Sequence, residues 1–186
     1  MEFLGFENVI DILKNVQGGK LAVIGSLPSL GKTSFALTLL KEITVTQNVS
    51  SILFSLEMSK STLEKRMNEM DFKANENLQI FDDSKLSIEE LSSILKNKDL
   101  SIKFCFIDYF GLFIGNDSIS ESIKNLKTLA MNNNVCIFIL TQISKDYNDL
   151  VPELSHYESF SQYADLIIAL HKNKGQEETK LLILKN

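Results

Sequence analysis

Apolar and polar residues alternate along this chain with two different periodicities. Short runs that are apolar at nearly every position predict buried strands, whereas apolar residues three or four positions apart predict amphipathic helices. The strand-like runs lie at residues 20–24, 51–56, 78–81, 102–107, 135–140, 166–170 and 181–184. Apolar strands that alternate with helices indicate a largely parallel sheet covered by helices on both faces. The pattern therefore predicts an α/β fold.

Local signals mark the ends of these elements. The Ser-x-x-Glu pattern of a capping box, which opens a helix, begins at Ser61, Ser87 and Ser118. The helix after Ser118 has one apolar face, formed by Ile123, Leu126, Leu129 and Ala130. The last two strands flank a turn at residues 173–176, which predicts a carboxy-terminal hairpin. Residues 144–163 are mixed and polar, and we expect a functional or mobile loop there.

The same pattern predicts the domain organisation. Residues 1–19 have the spacing of a short amphipathic helix and end at a Gly-Gly pair. Beyond them the sequence has neither a linker nor an internal repeat. We therefore expect a single domain over residues 1–186, with an amino-terminal helical segment at 1–19 and a core at 20–186.

A loop of sequence G-S-L-P-S-L-G-K-T joins the first strand to the next helix at residues 25–33. The spacing from Ser26 to Gly31 is that of a phosphate-binding P-loop, with serine where the first glycine usually stands. Gly31 is needed because no Cβ fits where backbone approaches phosphate, and the glycine before Ser26 is expected to supply backbone freedom. Lys32 would reach the β- and γ-phosphates, and the Thr33 hydroxyl would bind Mg²⁺. The alternative is a chance Gly-Lys-Thr turn, which the strand and helix around it disfavour.

Three further polar residues end predicted strands. Asp108 closes an apolar strand, as in a Walker B motif that holds Mg²⁺ through water. Glu57 is the best-placed general base for a water that attacks the γ-phosphate, and Gln142 is placed to sense that phosphate. Each residue also has a plainer interpretation as a polar group at a strand end. Their convergence at the carboxyl edge of one sheet, where ligands bind, favours function.

Composition narrows the class of protein. The hydrophobic content of 44% and charged content of 23% are typical of a folded domain. No apolar run approaches the ~20 residues of a membrane span, and the amino terminus has no signal-peptide pattern. Cys105 and Cys136 lie in apolar runs and are interpreted as buried reduced thiols, which fits a cytoplasmic protein. His156 and His171 lack partners at metal-ligand spacing.

Taken in order, the motifs resemble those of replicative DNA helicases of the DnaB type. The matching segments are PSLGKTSFAL at 28–37, FSLEM at 54–58, LQIFDD at 78–83, IDYFGL at 107–112, LKTLA at 126–130, LTQIS at 140–144 and ADLI at 164–167. The resemblance implies a RecA-like P-loop NTPase core, ATP and Mg²⁺ as ligands, and subunits that share ATP sites. The implied nucleotide-binding residues are Ser26, Pro28, Ser29, Leu30, Gly31, Lys32, Thr33, Ser34 and Asp108. Thr33 and Asp108 would serve the metal, and Glu57, Lys32 and Gln142 the catalysis.

Departures from the family pattern matter as much. The family's amino-terminal domain has no counterpart in these 186 residues. Members of the family also have basic loops that contact DNA. Here residues 111–118 have no lysine or arginine, and residues 145–160 have one lysine among four acids. The family's final motif places an arginine finger two residues after a lysine. Here Lys185 is followed by Asn186, and the only arginine is Arg66. We therefore expect slow hydrolysis, with Lys185 as a weaker substitute.

These observations leave three hypotheses. The chain is an ATPase domain of a DnaB-type helicase that acts as an oligomer on single-stranded DNA in replication. Alternatively, it is a stand-alone nucleotide-dependent regulator or a partner of a full helicase, without unwinding activity. The third hypothesis, a fragment that binds nucleotide weakly and has no catalysis, is disfavoured by the complete motif set. The net charge of −5 and the acidic loops predict weak single-stranded DNA binding at most.

Overall fold

The computed structural model describes residues 3–15, 18–97, 100–113, 118–143, 151–173 and 175–186. Within these residues the strands are β1 (Phe3–Leu4), β2 (Leu21–Ser26), β3 (Ser51–Ser55), β4 (Leu78–Phe81), β5 (Phe104–Asp108), β6 (Cys136–Gln142), β7 (Leu166–His171) and β8 (Thr179–Lys185). The helices are α1 (Phe6–Asn15), α2 (Lys32–Lys41), α3 (Lys60–Glu69), α4 (Ile88–Leu95), α5 (Phe110–Phe113), α6 (Ile119–Asn133) and α7 (Glu158–Ser161).

The strands form one sheet in the order β1-β8-β7-β2-β6-β5-β3-β4. Every described neighbouring pair is parallel except β7 and β8, which are antiparallel. The predicted α/β fold, its largely parallel sheet and its carboxy-terminal hairpin are therefore confirmed. Among the described helices, none is both long and apolar enough to cross a membrane.

Apolar side chains cover both faces of the sheet. On one face, α1, α2 and α3 pack against alternate strand residues such as Ile24 and Phe106. On the other, α4, α6 and the segment around Tyr157 pack against their neighbours in the strands, such as Val23 and Ile107. The continuous apolar runs of the sequence follow from this burial on two faces. The predicted buried face of α6 lies in the second of these cores.

Element boundaries differ from the sequence-based prediction in identifiable ways. Helix α3 is capped by Ser59, whose hydroxyl accepts a hydrogen bond from the Thr62 N–H, so the predicted cap at Ser61 is wrong by two residues. The predicted caps at Ser87 and Ser118 are confirmed. A π-helical turn at Glu42–Thr46 follows α2 and extends the helix predicted after the P-loop. These differences are local, because the buried strand positions are unchanged.

An ionic contact joins α6 to Asp165, the residue before β7, and both side chains also bond to the backbone at the amino-terminal end of β2. Lys127 Nζ lies 2.6 Å from Asp165 Oδ2 and 2.8 Å from the Gly19 carbonyl oxygen. The Leu21 N–H donates to the same Asp165 oxygen at 2.8 Å. Burial alone would raise the pKa of Asp165, but the hydrogen bonds from Lys127 and Leu21 outweigh burial and the net shift is downward. The charged carboxylate therefore stabilises the folded state.

The two cysteines lie on neighbouring strands but in different cores. Cys105 packs on one face of the sheet and Cys136 on the other. Both are buried free thiols, as predicted. Burial raises the pKa of Cys136 to about 12 and shifts that of Cys105 in the same direction. Neither is therefore a reactive thiolate at neutral pH.

Candidate nucleotide-binding site

The carboxyl edge of the sheet surrounds a cavity of about 640 Å³. It is lined by Pro28, Ser29, Gly31, Lys32, Thr33, Ser34, Glu57, Met58, Arg66, Asp108, Tyr109 and Gln142. The sheet order explains this assembly, since β2, β6, β5 and β3 are successive neighbours and all end at this edge. Among the residues predicted for the site, only Ser26 and Leu30 are absent from the lining. The site roles remain predictions, but the residues are together.

The loop before α2 has the backbone of a phosphate cradle. Ser29 and Gly31 have left-handed φ angles of 64° and 86°. Gly31 is the residue before the first turn of α2, and its carbonyl oxygen accepts from the Phe35 N–H at 2.8 Å. The first residues of α2 therefore lie at the cavity wall, where the backbone N–H groups of a helix amino terminus suit an anion.

The side chain of Ser26 contacts the lysine of the P-loop. It is fully buried, and its hydroxyl accepts a hydrogen bond from Lys32 Nζ at 3.1 Å. Burial lowers the pKa of Lys32, while the carboxylates of Asp108 and Glu57 act in the opposite direction. A partly desolvated ammonium beside a cavity suits a polyanionic ligand.

Gly25 has a different role from the one predicted. It lies within β2, and its φ angle is not in the left-handed region. The ring of Tyr157 lies against it, so that a Cβ would come within 2.7 Å of Cζ. Glycine is present because of this close approach, and the positive φ angles that the loop requires occur at Ser29 and Gly31.

Thr33 and Asp108 form a pair at the centre of the cavity. The Thr33 hydroxyl donates to Asp108 Oδ2 at 2.8 Å. Burial raises the pKa of Asp108, and it outweighs the hydrogen bond from Thr33 and the charges of Lys32 and Arg66, which lower it. The net shift of this pKa is upward. One carboxylate and one hydroxyl fit Mg²⁺, which takes few protein oxygens and completes its shell with phosphate and water. Among the described residues, no cluster of three or more acidic, histidine or cysteine ligands could hold a metal alone.

Glu57 reaches the cavity from the turn after β3. It is exposed, and its charge acts on both Lys32 and Asp108. The turn is fixed to the neighbouring strand, because the Leu56 N–H donates to the Asp108 carbonyl oxygen at 2.6 Å. A carboxylate in this place can orient and deprotonate a water above a bound phosphate.

Gln142 ends β6 directly beside the P-loop. It pairs with Ser26 in the parallel register, and the next residue, Ile143, donates its N–H to the Ser26 carbonyl oxygen at 3.1 Å. The exposed Gln142 side chain lines the cavity. The predicted sensor is therefore linked through the backbone to the cradle.

Comparisons with known proteins agree with this geometry. A family model described as the DnaB-like helicase C terminal domain matches residues 4–75 and 67–186. The chain belongs to this family. The replicative DNA helicase DnaB of Treponema pallidum (strain Nichols) is 25% identical across 99% of this chain and 52% of that protein. The DnaB-like domain thus spans about half the length of the curated relatives it matches.

Solved structures identify the fold. A DnaB-like replicative helicase, determined with its interactions with primase, superposes with a TM-score of 0.78 at 26% identity, over 91% of this chain and 54% of that one. A second solved structure, described as an ATPase domain, gives a TM-score of 0.77 at 23% identity, over 98% of this chain and 89% of that one. The DnaB-like domain therefore has the RecA-like fold that the motifs imply.

Arg66 is a cavity residue of the DnaB-like domain that sequence reasoning missed. It lies in the last turn of α3 and lines the cavity, and its charge lowers the pKa of Asp108. Within the described residues its side chain makes neither a hydrogen bond nor an ion pair, so its guanidinium has donors available for a ligand. Its position on the helix directly after Glu57 was the available signal.

Lys185, the predicted substitute for an arginine finger, does not line the cavity. Its Nζ donates to the Ser161 carbonyl oxygen of the same chain at 2.7 Å. The two histidines make local contacts: His156 Nδ1 accepts from the Glu153 N–H, and His171 hydrogen-bonds Asn173. Of the two loops at residues 111–118 and 145–160, residues 114–117 and 145–150 lie outside the described residues.

Proposed function

We propose that this domain binds ATP with Mg²⁺ and hydrolyses it slowly, as the motor domain of a DnaB-type replicative helicase or of a close relative. The observation that carries the proposal is the cavity in which Lys32, Thr33, Asp108 and Glu57 meet. Each group has the chemistry that ATP hydrolysis requires at that place.

The proposed mechanism assigns one task to each side chain. The P-loop N–H groups and Lys32 bind the phosphates and neutralise their charge. Thr33 and Asp108 would hold Mg²⁺, which would stabilise the charge on the phosphate oxygens. Glu57 accepts a proton from the attacking water, and Gln142 contacts the γ-phosphate and responds to its loss. Binding of the phosphates and of Mg²⁺ holds the substrate, and proton transfer to Glu57 determines the rate.

Slow turnover is proposed for these 186 residues by themselves. The only arginine in the sequence, Arg66, faces this chain's own cavity. An arginine that reaches the transferred phosphate from outside contributes about 10³–10⁵ in rate in related enzymes. We also propose that the domain assembles as a homo-oligomer or with a helicase partner, and its membership of the DnaB-like helicase family supports this.

A second function is favoured by the exposed surface of residues 151–160. The described residues 151–160 expose Glu153, Glu158, Val151 and Leu154 and contain no lysine or arginine. Such a surface repels the phosphates of single-stranded DNA. It supports the alternative of a nucleotide-dependent regulator or a helicase partner that does not unwind DNA.

Nucleotide binding is tested by thermal unfolding. Saturating ATP with Mg²⁺ is expected to raise the melting temperature of the wild type by about 5 °C or more. Lys32→Ala should lose most of this shift, while the control Lys65→Ala, an exposed lysine on α3, should keep it. Equal shifts in the wild type and Lys32→Ala would show that the P-loop assignment is wrong.

Turnover and DNA binding separate the two functions. ATPase rates are measured with and without single-stranded DNA, together with the mass in solution. Stimulation by DNA and a stable oligomer would support the motor. Slow, DNA-independent turnover with weak binding even at low salt would support the regulator. Tight binding with a steep salt dependence would contradict the proposed repulsion.

A further inference from the structure

The turn that carries Glu57 is held to the sheet at both of its ends. At the start, the Leu56 N–H donates to the Asp108 carbonyl oxygen at 2.6 Å. At the end, the hydroxyl of Ser55 donates to the Met58 carbonyl oxygen at 2.7 Å. The second bond closes the turn on the last residue of β3, the strand that Glu57 follows. The Glu57 side chain therefore projects from a closed loop with two fixed ends.

The Glu57 carboxylate itself is held by no direct contact from the described residues. It makes neither a hydrogen bond nor an ion pair with them, and it is exposed at the cavity wall. Its position is therefore determined by the backbone of the turn. A general base must lie within hydrogen-bond reach of the proton that it removes, so small movements of this turn change the rate.

The Ser55 hydroxyl bonds to the backbone of the turn and does not itself reach the cavity. Ser55 is 1% exposed and does not line the cavity. In the parallel register Ser55 pairs with Asp108, so the residue that bonds to the turn lies beside the carboxylate proposed to bind the metal. Its hydroxyl donates to the carbonyl oxygen of Met58, and Met58 lines the cavity.

We propose that Ser55 is a positioning residue that acts through Glu57. Its hydroxyl holds the turn so that the Glu57 carboxylate lies above the bound phosphate. This inference rests on the proposed function, in which Glu57 is the base, but it concerns a residue that touches no substrate. It predicts that loss of the hydroxyl affects turnover and spares nucleotide binding.

The test compares two buried serines of the same strand. Ser55→Ala is expected to lower kcat about tenfold or more and to change the Kd of a non-hydrolysable ATP analogue by less than about twofold. The matched control is Ser51→Ala, since Ser51 is 2% exposed at the other end of β3 and its hydroxyl donates to the Val49 carbonyl oxygen. The control should leave both quantities unchanged. Ser55→Thr, which keeps the hydroxyl, should restore most of kcat.

A double variant shows whether Ser55 acts through Glu57. Because Glu57→Gln already lacks the base, adding Ser55→Ala should lower kcat no further. An additional loss in that background, an unchanged kcat in Ser55→Ala, or an equal loss of nucleotide affinity would overturn the inference. If Ser55→Ala is insoluble, Ser55→Cys, which keeps the shape of the side chain and weakens the hydrogen bond, is measured in its place.

Failure of the inference is distinguishable from failure of the proposed function. If Glu57→Gln hydrolyses ATP as fast as the wild type, Glu57 is not the base, whatever the effect of Ser55→Ala on turnover. Turnover that depends on Glu57 but not on Ser55 would leave the function intact and remove only the positioning role.

Discussion

The phenol ring of Tyr157 packs directly on the backbone of Gly25, one residue before the P-loop begins. Tyr157 is 1% exposed, and its buried hydroxyl has no hydrogen-bond partner among the described residues. Burial also raises the pKa of this phenol, so it remains neutral at physiological pH. The segment that follows the strand of Gln142 thus packs against the strand that carries the phosphate cradle.

Gly25→Ala is expected to destabilise the domain by about 2–3 kcal/mol, since the new methyl overlaps a ring in a packed core. Urea unfolding of the variant and the wild type measures the difference. Tyr157→Ala leaves a cavity and is destabilising alone, but it provides room for the methyl. The double variant should therefore be more stable than the sum of the two changes predicts. Strict additivity would show that the two residues are not in contact.

Glu57→Gln is expected to lower ATP turnover by about 10²–10³-fold, because the amide cannot accept the proton of the attacking water. Affinity for an ATP analogue should be nearly unchanged. Glu64→Gln removes an exposed carboxylate from α3 that does not line the cavity, and it serves as the control. Wild-type turnover in Glu57→Gln would assign the base to another residue.

Arg66→Ala is expected to weaken binding of an ATP analogue about tenfold, because a charge-assisted contact to phosphate is lost. Binding of ADP should weaken less, since ADP carries less phosphate charge. Calorimetric titration of both nucleotides measures the difference. The neighbouring Lys65→Ala is the matched control, and Arg66→Lys should give an intermediate value because it keeps the charge without the fork. An Arg66→Ala variant with wild-type affinities would exclude a contact with the nucleotide.

Asp165→Asn is expected to cost about 1–2 kcal/mol of stability at pH 7, since the carboxylate accepts hydrogen bonds from Lys127 and Leu21 and is only partly screened by solvent. Because folding lowers the pKa of Asp165, its contribution is present above the unfolded pKa near 3.8 and is lost as the pH falls through the folded value. The difference between the variant and the wild type should therefore shrink below pH 4.

The control for this experiment is Glu64→Gln. Glu64 is an exposed carboxylate on α3, and its neutralisation should change stability by less than about 0.5 kcal/mol. Urea unfolding at several pH values measures both variants. A penalty for Asp165→Asn that stays constant down to pH 3 would contradict the role of the charge.

The sequence was sufficient for the fold and for the strand-end residues, for a common physical reason. Strands buried on both faces must be apolar throughout, and in a parallel sheet their carboxyl ends meet at one edge. Glu57, Asp108 and Gln142 each end such a run, so their convergence could be predicted without coordinates. The predicted hairpin was equally accessible, because turn residues separate two apolar runs.

The remaining features depend on tertiary contacts that leave no local pattern. Arg66 lies on an exposed helical position like any solvated cation, and only the packing of α3 beside the cavity places it there. The reason for glycine at position 25 is the ring of Tyr157, which comes from a distant segment. The cap at Ser59 was missed because Ser61 offers the more familiar box pattern two residues later.

The bond from Lys185 to the Ser161 carbonyl oxygen has a consequence for any assembly of several subunits. If the ammonium is to serve a nucleotide bound by another copy, it must first leave a partner in its own chain. A net hydrogen bond of about 1 kcal/mol corresponds to a population ratio of about five to one in favour of the intramolecular contact. In such an assembly, a contact of Lys185 with the neighbour's phosphates would have to replace this internal hydrogen bond, and it would prevail only where the phosphates were the stronger acceptor.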